Sequence, residues 1–214
     1  LGHRLPPTAR EIVQALGATA PVVNGCEFDP ALGIPSVHID NAAAARAVME
    51  HLYALGHERI AVVGGPPDNP LHQQRLEGVR SAGKARGRLR SLSVVPGDFS
   101  LESGHAAATA LLALAQAPTA VFCFSDQMAL GALAACRDLG IRVPDQLSIV
   151  GFDDLASSSF LTPPLTTVRQ PMREIGARAV NLLLAIIERI DVPLQQTLDF
   201  SLMLRGSTAA PAAG

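Results

Sequence analysis

Polar side chains that could bind a ligand follow two apolar runs of the chain. Residues 119–124 and 147–152 are short and rich in strand-forming side chains, so both are predicted to be buried strands. Ser125 and Asp126 come directly after the first run, and Asp153 follows the second. Parallel strands joined by a helix bring their carboxyl ends to one edge of a sheet, where open α/β sheets bind ligands. The spacing therefore predicts that these three side chains lie together at that edge.

The segment between the two runs is predicted to be the joining helix. Residues 128–139 are rich in alanine and leucine and contain no proline, Gly140 follows them, and Pro144 keeps the helix from restarting. Ser125 and Asp126 offer side-chain oxygens to the first free N–H groups of this helix. The sequence leaves open which of the two caps the helix and which one meets a ligand.

Strands and helices also alternate along the rest of the chain. Residues 36–39 and 59–64 are predicted strands, Pro171 is placed to open a long helix, and residues 197–205 alternate as an edge strand would. Residues 206–214 are mostly small, and we expect them to form a loosely held tail. The alternation favours the α/β class, with parallel sheets that carry helices on both faces.

Composition argues against several classes of protein. Of the 214 residues, 48% are hydrophobic and 17% are charged, which is typical of a globular chain and not of a disordered one. A net charge of −2 and an aromatic content of 4% indicate neither a basic surface nor a stacking platform for nucleic acid. No apolar run is long enough to cross a membrane, and the start of the sequence lacks the layout of a signal peptide. We therefore expect a cytoplasmic protein without membrane contact.

The cysteines, histidines and glycine loop indicate neither a metal site nor an active site. Cys26, Cys123 and Cys136 are odd in number and lie in apolar runs, which is typical of reduced core residues in a cytosolic protein. The six histidines show no metal-ligand spacing. The GGPP stretch at 64–67 matches neither GxGxxG nor a phosphate-binding loop, and the chain has no GxSxG motif. We predict no metal, no cofactor and no enzymatic activity.

Three motifs give the chain a resemblance to a known family. SDQMALGA at 125–132, RVPDQLSIVGFDD at 142–154 and PPLTTVRQP at 163–171 have the order and spacing found in the LacI/GalR family of bacterial transcription regulators. The resemblance covers nearly the whole chain. It implies the effector-binding core of such a regulator, folded as two Rossmann-like lobes of the periplasmic binding protein type I kind.

The resemblance also implies a division of the chain between the two lobes. Members of the family begin with a DNA-binding helix-turn-helix, a hinge helix and the first strand–helix units of the N-terminal lobe, which this sequence does not contain. We expect a trimmed chain with an incomplete N-terminal lobe, and a natural remnant is the alternative. Crossings between the lobes are expected near residues 40–41, 167–170 and 195–197. The implied parts are the N-terminal lobe portion (1–41), the C-terminal lobe (42–166), the crossover and return to the N-terminal lobe (167–196), and the last strand with the tail (197–214).

By the same resemblance, a small-molecule effector binds in a cleft between the lobes. Arg75 is implied to face solvent there and to donate a pair of hydrogen bonds to effector hydroxyls or to a carboxylate, as guanidinium geometry allows. Asp153 is implied to accept hydrogen bonds from effector hydroxyls or a base, and Phe99 to stack on the effector. The other residues implied at the cleft or at the lobe crossings are Ser125, Asp126, Leu71, Asn69, Glu27, Phe28, Asp40 and Gln170.

Each of the three main residues has a plainer alternative. Arg75 could be an exposed helix arginine, and Phe99 could be an ordinary hydrophobic anchor of its loop. Asp153 could cap the helical segment that follows it, unless Asp154 takes that role and leaves Asp153 to the ligand.

Finer motifs resemble the cytidine-responsive branch of the family. They are GHRLP, CEFDPALGIPSVHIDN, NPLHQQRLEG and RGST. They imply a nucleoside effector, with Phe99 on the base and with Arg75 and Asp153 on the ribose. A sugar-responsive regulator of the same family and a periplasmic sugar-binding protein remain open as alternatives.

The family also implies a homodimer that binds operator DNA only through the absent helix-turn-helix. Leu130 and Phe160 fall where relatives make their subunit contact, and a twofold interface would use both residues twice. The plainer alternative for both is core packing.

Overall fold

The computed structural model of the chain describes residues 11, 13, 15, 16, 20–26, 32–88 and 92–212. Within these residues the chain forms two compact units. The smaller unit consists of the described residues up to Asp40 together with Gln170–Phe200, and the larger consists of Asn41–Arg169 together with the described residues from Ser201 onward.

The strands and α-helices of the described residues are numbered in chain order. They are β1 (Asn24–Gly25), β2 (Ser36–Ile39), α1 (Asn41–Ala54), β3 (Ile60–Val63), α2 (Pro70–Ala85), β4 (Leu92–Val95), α3 (Leu101–Leu112), β5 (Ala120–Cys123), α4 (Asp126–Asp138), β6 (Ser148–Asp153), β7 (Thr166–Arg169), α5 (Met172–Ile187), β8 (Gln195–Leu198) and β9 (Ser201–Met203). A single turn of 3₁₀-helix, Ala156–Ser159, lies between β6 and β7.

The larger unit is built on a six-stranded sheet with the strand order β4-β3-β5-β6-β7-β9. Neighbouring strands are parallel, except that β7 and β9 are antiparallel. Strands β3 and β5 consist of buried apolar residues, as is typical of parallel strands covered on both faces. Since β3, β5, β6 and β7 run in one direction, their carboxyl ends share one edge of the sheet, which we call the carboxyl edge. The predicted α/β class with parallel sheets is confirmed.

Helices α3 and α4 pack so closely that their backbones touch at two glycines. A Cβ atom at Gly131 would lie 2.6 Å from the His105 nitrogen and would overlap the Leu101 carbonyl oxygen. A Cβ atom at Gly104 would overlap the backbone of Met128. Any larger residue at either position would therefore have to push the two helices apart.

The smaller unit has a three-stranded parallel sheet with the order β1-β2-β8. Val37 of β2 is buried against Ile175 and Leu182 of α5. Residues of α5 at i and i+7 therefore face this sheet, as the period of an amphipathic helix requires. This unit has a small apolar core of its own.

The strand predicted over residues 197–205 is two strands in two different sheets. Strand β8 pairs in parallel with β2, whereas β9 pairs antiparallel with β7. The chain passes from the smaller unit to the larger one after Phe200, a few residues beyond the position expected for this crossing. Polar and apolar side chains alternate from Thr197 to Leu202, across the end of β8 and the start of β9, so periodicity could not show the change of partner.

The residues after β9 do not form the loose tail that their composition predicts. Ser207 is fully buried, and its hydroxyl donates to the Ile149 carbonyl oxygen (2.6 Å) and accepts a hydrogen bond from the Thr166 N–H (2.8 Å). The Ile149 N–H donates to the Ser207 carbonyl oxygen (2.8 Å). We call residues 205–209 the C-terminal strap. The strap is held in place by hydrogen bonds to strands β6 and β7, which are far away in sequence. Local composition cannot reveal such bonds.

The far end of the strap is held by a buried histidine. The Nε2 atom of His57 lies 2.9 Å from the Ala209 carbonyl oxygen, and its Nδ1 atom lies 2.9 Å from the Thr119 hydroxyl. A carbonyl oxygen can only accept, so Nε2 carries the proton of the neutral ring and Nδ1 accepts from Thr119. Burial lowers the pKa of His57, against the opposing effect of its hydrogen bond to Ala209. Burial also lowers the pKa of His51 and His72.

We expect the larger unit to lose stability as the pH falls below about 6.5. The folded-state pKa of these histidines lies below the ordinary value, so the unfolded chain binds more protons in this range. The contribution of these histidines to the free energy of unfolding is therefore fully present above their ordinary pKa. It is lost as the pH falls through the folded-state pKa. Urea unfolding between about pH 5 and pH 8 measures this dependence.

His57→Gln is the matched comparison for this prediction. The variant should unfold with a smaller dependence on pH than the wild type. Asp126, whose pKa is raised by burial, contributes the opposite slope in both proteins and cancels in the comparison. Equal slopes in the two proteins would contradict the assignment to His57.

Candidate functional site

Four of the predicted ligand-binding residues lie at the carboxyl edge of the larger sheet. Ser125 follows β5 and Asp153 ends β6, while Arg75 is on α2 and Phe99 is in the loop before α3. The Ser125 hydroxyl donates to the Phe99 carbonyl oxygen (3.4 Å). The Arg75 guanidinium stacks on the ring of Phe152, the residue before Asp153. The prediction from strand ends, that Ser125 and Asp153 share one sheet edge, agrees with this geometry.

Arg75 is a buried charge with defined partners, only 3% exposed. Its Nε donates to Asn41 Oδ1 (2.9 Å), and Nη1 donates to the Phe124 carbonyl oxygen. Its Cζ lies 3.6 Å from the centre of the Phe152 ring. Charge-assisted hydrogen bonds and stacking on an aromatic ring compensate for the lost hydration of the charge. The guanidinium thus links α1, the residue after β5 and strand β6.

The expectation that Arg75 faces solvent is therefore wrong for this structure. Leu71 and Val79, one turn away on either side of Arg75, are buried on the same face of α2. Arginine is tolerated on such a face only where acceptors compensate for burial. Those acceptors come from distant parts of the chain, Asn41 and Phe124, so the local sequence could not show them.

Phe99 lies against the glycine–proline loop that follows β3. The residue is only 7% exposed, and a Cβ atom at Gly65 would overlap its ring. Its own backbone has a positive φ of 68°, in the left-handed region that few non-glycine residues adopt. The buried ring fits the plainer alternative of a loop anchor.

Asn69 and Leu71 take part in the start of helix α2. The Asn69 Oδ1 accepts hydrogen bonds from the backbone N–H groups of Leu71 (2.8 Å) and His72 (3.3 Å), as an N-cap does. His72, which sequence analysis missed, accepts a hydrogen bond on Nδ1 from the Gly65 N–H (3.1 Å). Burial lowers the pKa of His72, which favours the neutral ring that can accept this bond. The only sequence signal for His72 was its place in the first turn after Asn69.

Ser125 is the residue that caps α4. Its hydroxyl oxygen accepts a hydrogen bond from the Met128 N–H (3.1 Å) while its proton points to the Phe99 carbonyl oxygen. Ser125, and not its neighbour Asp126, therefore caps the helix. Its position fixes the hydroxyl beside Phe99 at the carboxyl edge.

Asp126 is fully buried and braces the segment after β6. Its Oδ2 accepts hydrogen bonds from the Leu155 N–H (2.8 Å) and the Ser158 hydroxyl (2.5 Å), and its Oδ1 accepts one from the Thr167 hydroxyl (2.6 Å). Burial raises the pKa of Asp126, and the three hydrogen bonds oppose this effect. The carboxylate has no exposed surface in this structure, so we assign it a supporting role.

Asp153 and Asp154 form a turn at the end of β6. Both have positive φ, 121° and 52°. The Asp154 carboxylate accepts hydrogen bonds from Arg169 (2.5 Å) and Arg205 (2.6 Å). Burial opposes the ionisation of Asp154, but these hydrogen bonds and charges outweigh it and lower its pKa. The idea that Asp154 caps the next helix is wrong, because the N-cap position of the 3₁₀ turn at Ala156–Ser159 is Leu155, and no side chain caps this turn.

Comparison with known proteins identifies the family. A family model of the periplasmic binding protein-like domain matches residues 49–208. A solved structure of a dimeric Lac repressor is 32% identical to this chain, with a TM-score of 0.86, and the match covers 98% of this chain and 76% of that one. The chain belongs to the LacI family. This confirms the resemblance carried by the motifs and the periplasmic binding protein-like fold.

Two other relatives bear on the branch of the LacI family. The HTH-type transcriptional repressor CytR of Escherichia coli strain K12 is 43% identical over 212 residues, which cover 98% of this chain and 62% of the repressor. This chain therefore spans less than two thirds of the length of that relative. A LacI family transcriptional regulator from Enterococcus faecium, solved with bound ribose, is 27% identical with a TM-score of 0.83, covering 96% of this chain and 76% of that one.

The LacI-type site residues predicted in the smaller unit are only partly described. Asp40 is exposed, and Gln170 is buried with its Oε1 3.4 Å from the Cys26 thiol, which donates to it. Glu27 and Phe28 lie outside the described residues.

The residues predicted for the LacI-type subunit contact differ in exposure. Leu130 is half-buried on α4, whereas Phe160 is 86% exposed directly after the 3₁₀ turn. Core packing, the plainer alternative, is therefore wrong for Phe160.

In the described part of this LacI-family chain, no group of three or more histidine, cysteine, aspartate or glutamate side chains is arranged to hold a metal ion. None of the helices in that part combines the length and the apolar character needed to cross a membrane.

Proposed function

We propose that this chain is the effector-binding and dimerisation module of a LacI-family transcriptional repressor. It binds a small molecule, a nucleoside, at the carboxyl edge of the larger sheet. The observation that carries this proposal is the convergence of Arg75, Phe99, Ser125 and Asp153 at that edge. The three relatives named above, two repressors and a regulator, support the regulatory role.

A nucleoside suits the chemistry of these side chains. We place a base against Phe99 at this edge, and ribose hydroxyls against two acceptors, the Asp153 carboxylate and the Ser125 hydroxyl. Arg75 supplies donors in a fixed plane, so an effector oxygen would share them with Asn41 and Phe124. The resemblance of the finer sequence motifs to the cytidine-responsive branch favours a nucleoside as the effector.

A sugar effector is the second candidate. The regulator from Enterococcus faecium was solved with bound ribose. Because ribose is also part of a nucleoside, the hydroxyl contacts proposed for Asp153 and Ser125 would serve either ligand. The two candidates differ in how much binding free energy they would gain from Phe99, since a free pentose gains less than a base from stacking on an aromatic ring.

Regulation would follow from unequal affinity of the effector for two states of the full-length protein. A ligand shifts such an equilibrium only by the difference between its binding free energies for the two states. We propose that the full-length protein works in the cytoplasm and binds operator DNA through a part outside this chain. We also propose a homodimer, whose interface uses Phe160 and Leu130; the exposure of Phe160 supports this role.

A thermal-shift screen with cytidine, adenosine, purine bases, ribose and hexoses tests the proposed function. A nucleoside at about 100 times its dissociation constant should stabilise the native protein by about 2.7 kcal/mol. At this chain length that corresponds to a rise in melting temperature of about 5 °C or more. A response to ribose and hexoses without any response to nucleosides would favour the sugar candidate. No response to any of these compounds would contradict effector binding of either kind.

A further inference from the structure

The turn that carries Asp153 is anchored to the C-terminal strap through its neighbour Asp154. The Asp154 Oδ1 accepts a hydrogen bond from Arg205 Nη2 (2.6 Å), and Oδ2 accepts one from Arg169 Nε (2.5 Å). The side chains of Asp154 and Arg205 are only 7% and 14% exposed, whereas that of Arg169 is half exposed. The pair with Arg205 is thus shielded from solvent, where a charge pair has a stronger effect than on the surface.

Arg205 is itself held by two further hydrogen bonds. Its Nη1 donates to the Leu165 carbonyl oxygen (2.7 Å), and its backbone N–H donates to the Thr166 hydroxyl (2.9 Å). The strap continues from Arg205 to Ser207, which is hydrogen-bonded to Ile149 and Thr166. Arg205 therefore reaches Asp154 from a position that the strap determines.

The backbone of the turn needs such support. Asp153 and Asp154 are consecutive non-glycine residues with positive φ, a conformation that persists only where surrounding contacts impose it. Asp154 supplies several of these contacts, and its N–H also donates to the Thr167 hydroxyl (3.3 Å). Any change in the φ and ψ of this turn would redirect the Asp153 side chain.

We infer that Asp154 and Arg205 are positioning residues for the effector site, because they hold the turn that sets the direction of the Asp153 carboxylate. The inference rests on the proposed function and adds two residues that need not touch the effector. Arg205 is the first residue of the RGST motif. The inference therefore assigns this motif a physical role, which is to hold the turn at Asp153 and Asp154.

Hydrogen–deuterium exchange of the ligand-free protein tests the structural half of the inference. In Asp154→Asn and Arg205→Met, we expect the amides of residues 153–156 to exchange about tenfold faster than in the wild type, with β3 unchanged. Asp145→Asn is the matched control, because Asp145 makes an exposed ion pair with Arg142 (3.3 Å). Unchanged exchange at residues 153–156 in both test variants would overturn the inference.

A double-mutant cycle in effector affinity tests the functional half. With cytidine as the titrant, Asp154→Asn should weaken binding about tenfold when Asp153 is present, and should add nothing in an Asp153→Asn background. A merely structural role would weaken binding equally in both backgrounds, and that result would overturn the inference. If cytidine, adenosine and ribose all fail to bind the wild type, the proposed function fails, and the exchange measurement alone decides whether Asp154 and Arg205 hold the turn.

Discussion

Gly131→Ala is expected to lower the free energy of unfolding of the larger unit by about 3 kcal/mol. The added Cβ would overlap the Leu101 carbonyl oxygen and would lie 2.6 Å from the His105 nitrogen. Both are backbone atoms, so no side-chain rotation can relieve the overlap. The helices must separate instead, which would open the close packing between them. Urea unfolding followed by circular dichroism measures the loss.

Gly176→Ala is the matched control for this prediction. Gly176 lies within helix α5, and an added Cβ there would meet nothing within 4 Å. The same substitution should therefore stabilise the protein by about 0.4–1 kcal/mol, through the helix propensity of alanine and a less flexible unfolded chain. A similar effect at both positions would show that the backbone contact between α3 and α4 is not what makes Gly131 necessary.

Arg75→Ala is expected to cost about 2–4 kcal/mol of unfolding free energy. The change removes two charge-assisted hydrogen bonds and a stacking contact, and it leaves the buried acceptors of Asn41 and Phe124 without this donor. Relief of the buried charge offsets part of the loss. Chemical denaturation is again the measurement, and the same loss at high salt is expected because the site is shielded from solvent.

Arg80→Ala provides the control for Arg75. Arg80 is an exposed arginine on the same helix, and its removal should change stability by no more than about 0.5 kcal/mol. If the two variants are equally stable, the contacts of Arg75 do not contribute to folding. Arg75 would then be free to act as a ligand residue alone.

Strand and helix order could be predicted because each element carries its own local signal. The strand at Ser36–Ile39 lies where the pattern indicated, and the cap of α4 is Ser125, one of the two neighbouring residues that the pattern offered. Alternation, apolar runs and capping side chains are local features. The edge shared by Ser125 and Asp153 followed from topology, because parallel strands must end on the same side of their sheet.

The sequence could not predict which polar side chains are buried or which residues they hydrogen-bond to, because both depend on residues far apart in sequence. Asp126 is next to Ser125, yet its carboxylate is enclosed by Leu155, Ser158 and Thr167, which follow it by about 30 to 40 positions. Small residues at the end of the chain indicated flexibility, yet Ser207 is buried because β6 and β7 present hydrogen-bonding partners to it. Local composition carries no information about such partners.

Isothermal titration of the wild type and of Asp153→Asn with cytidine tests the central claim most directly, with Asp145→Asn as the control. Asparagine keeps the shape of Asp153 but replaces one acceptor oxygen with a donor, so a ribose hydroxyl loses a charge-assisted hydrogen bond. We expect the wild type and the control to bind equally, and Asp153→Asn to bind at least about tenfold more weakly, a difference of about 1.4 kcal/mol. Equal affinity in all three proteins, with equal stability, would contradict an effector site at the end of β6.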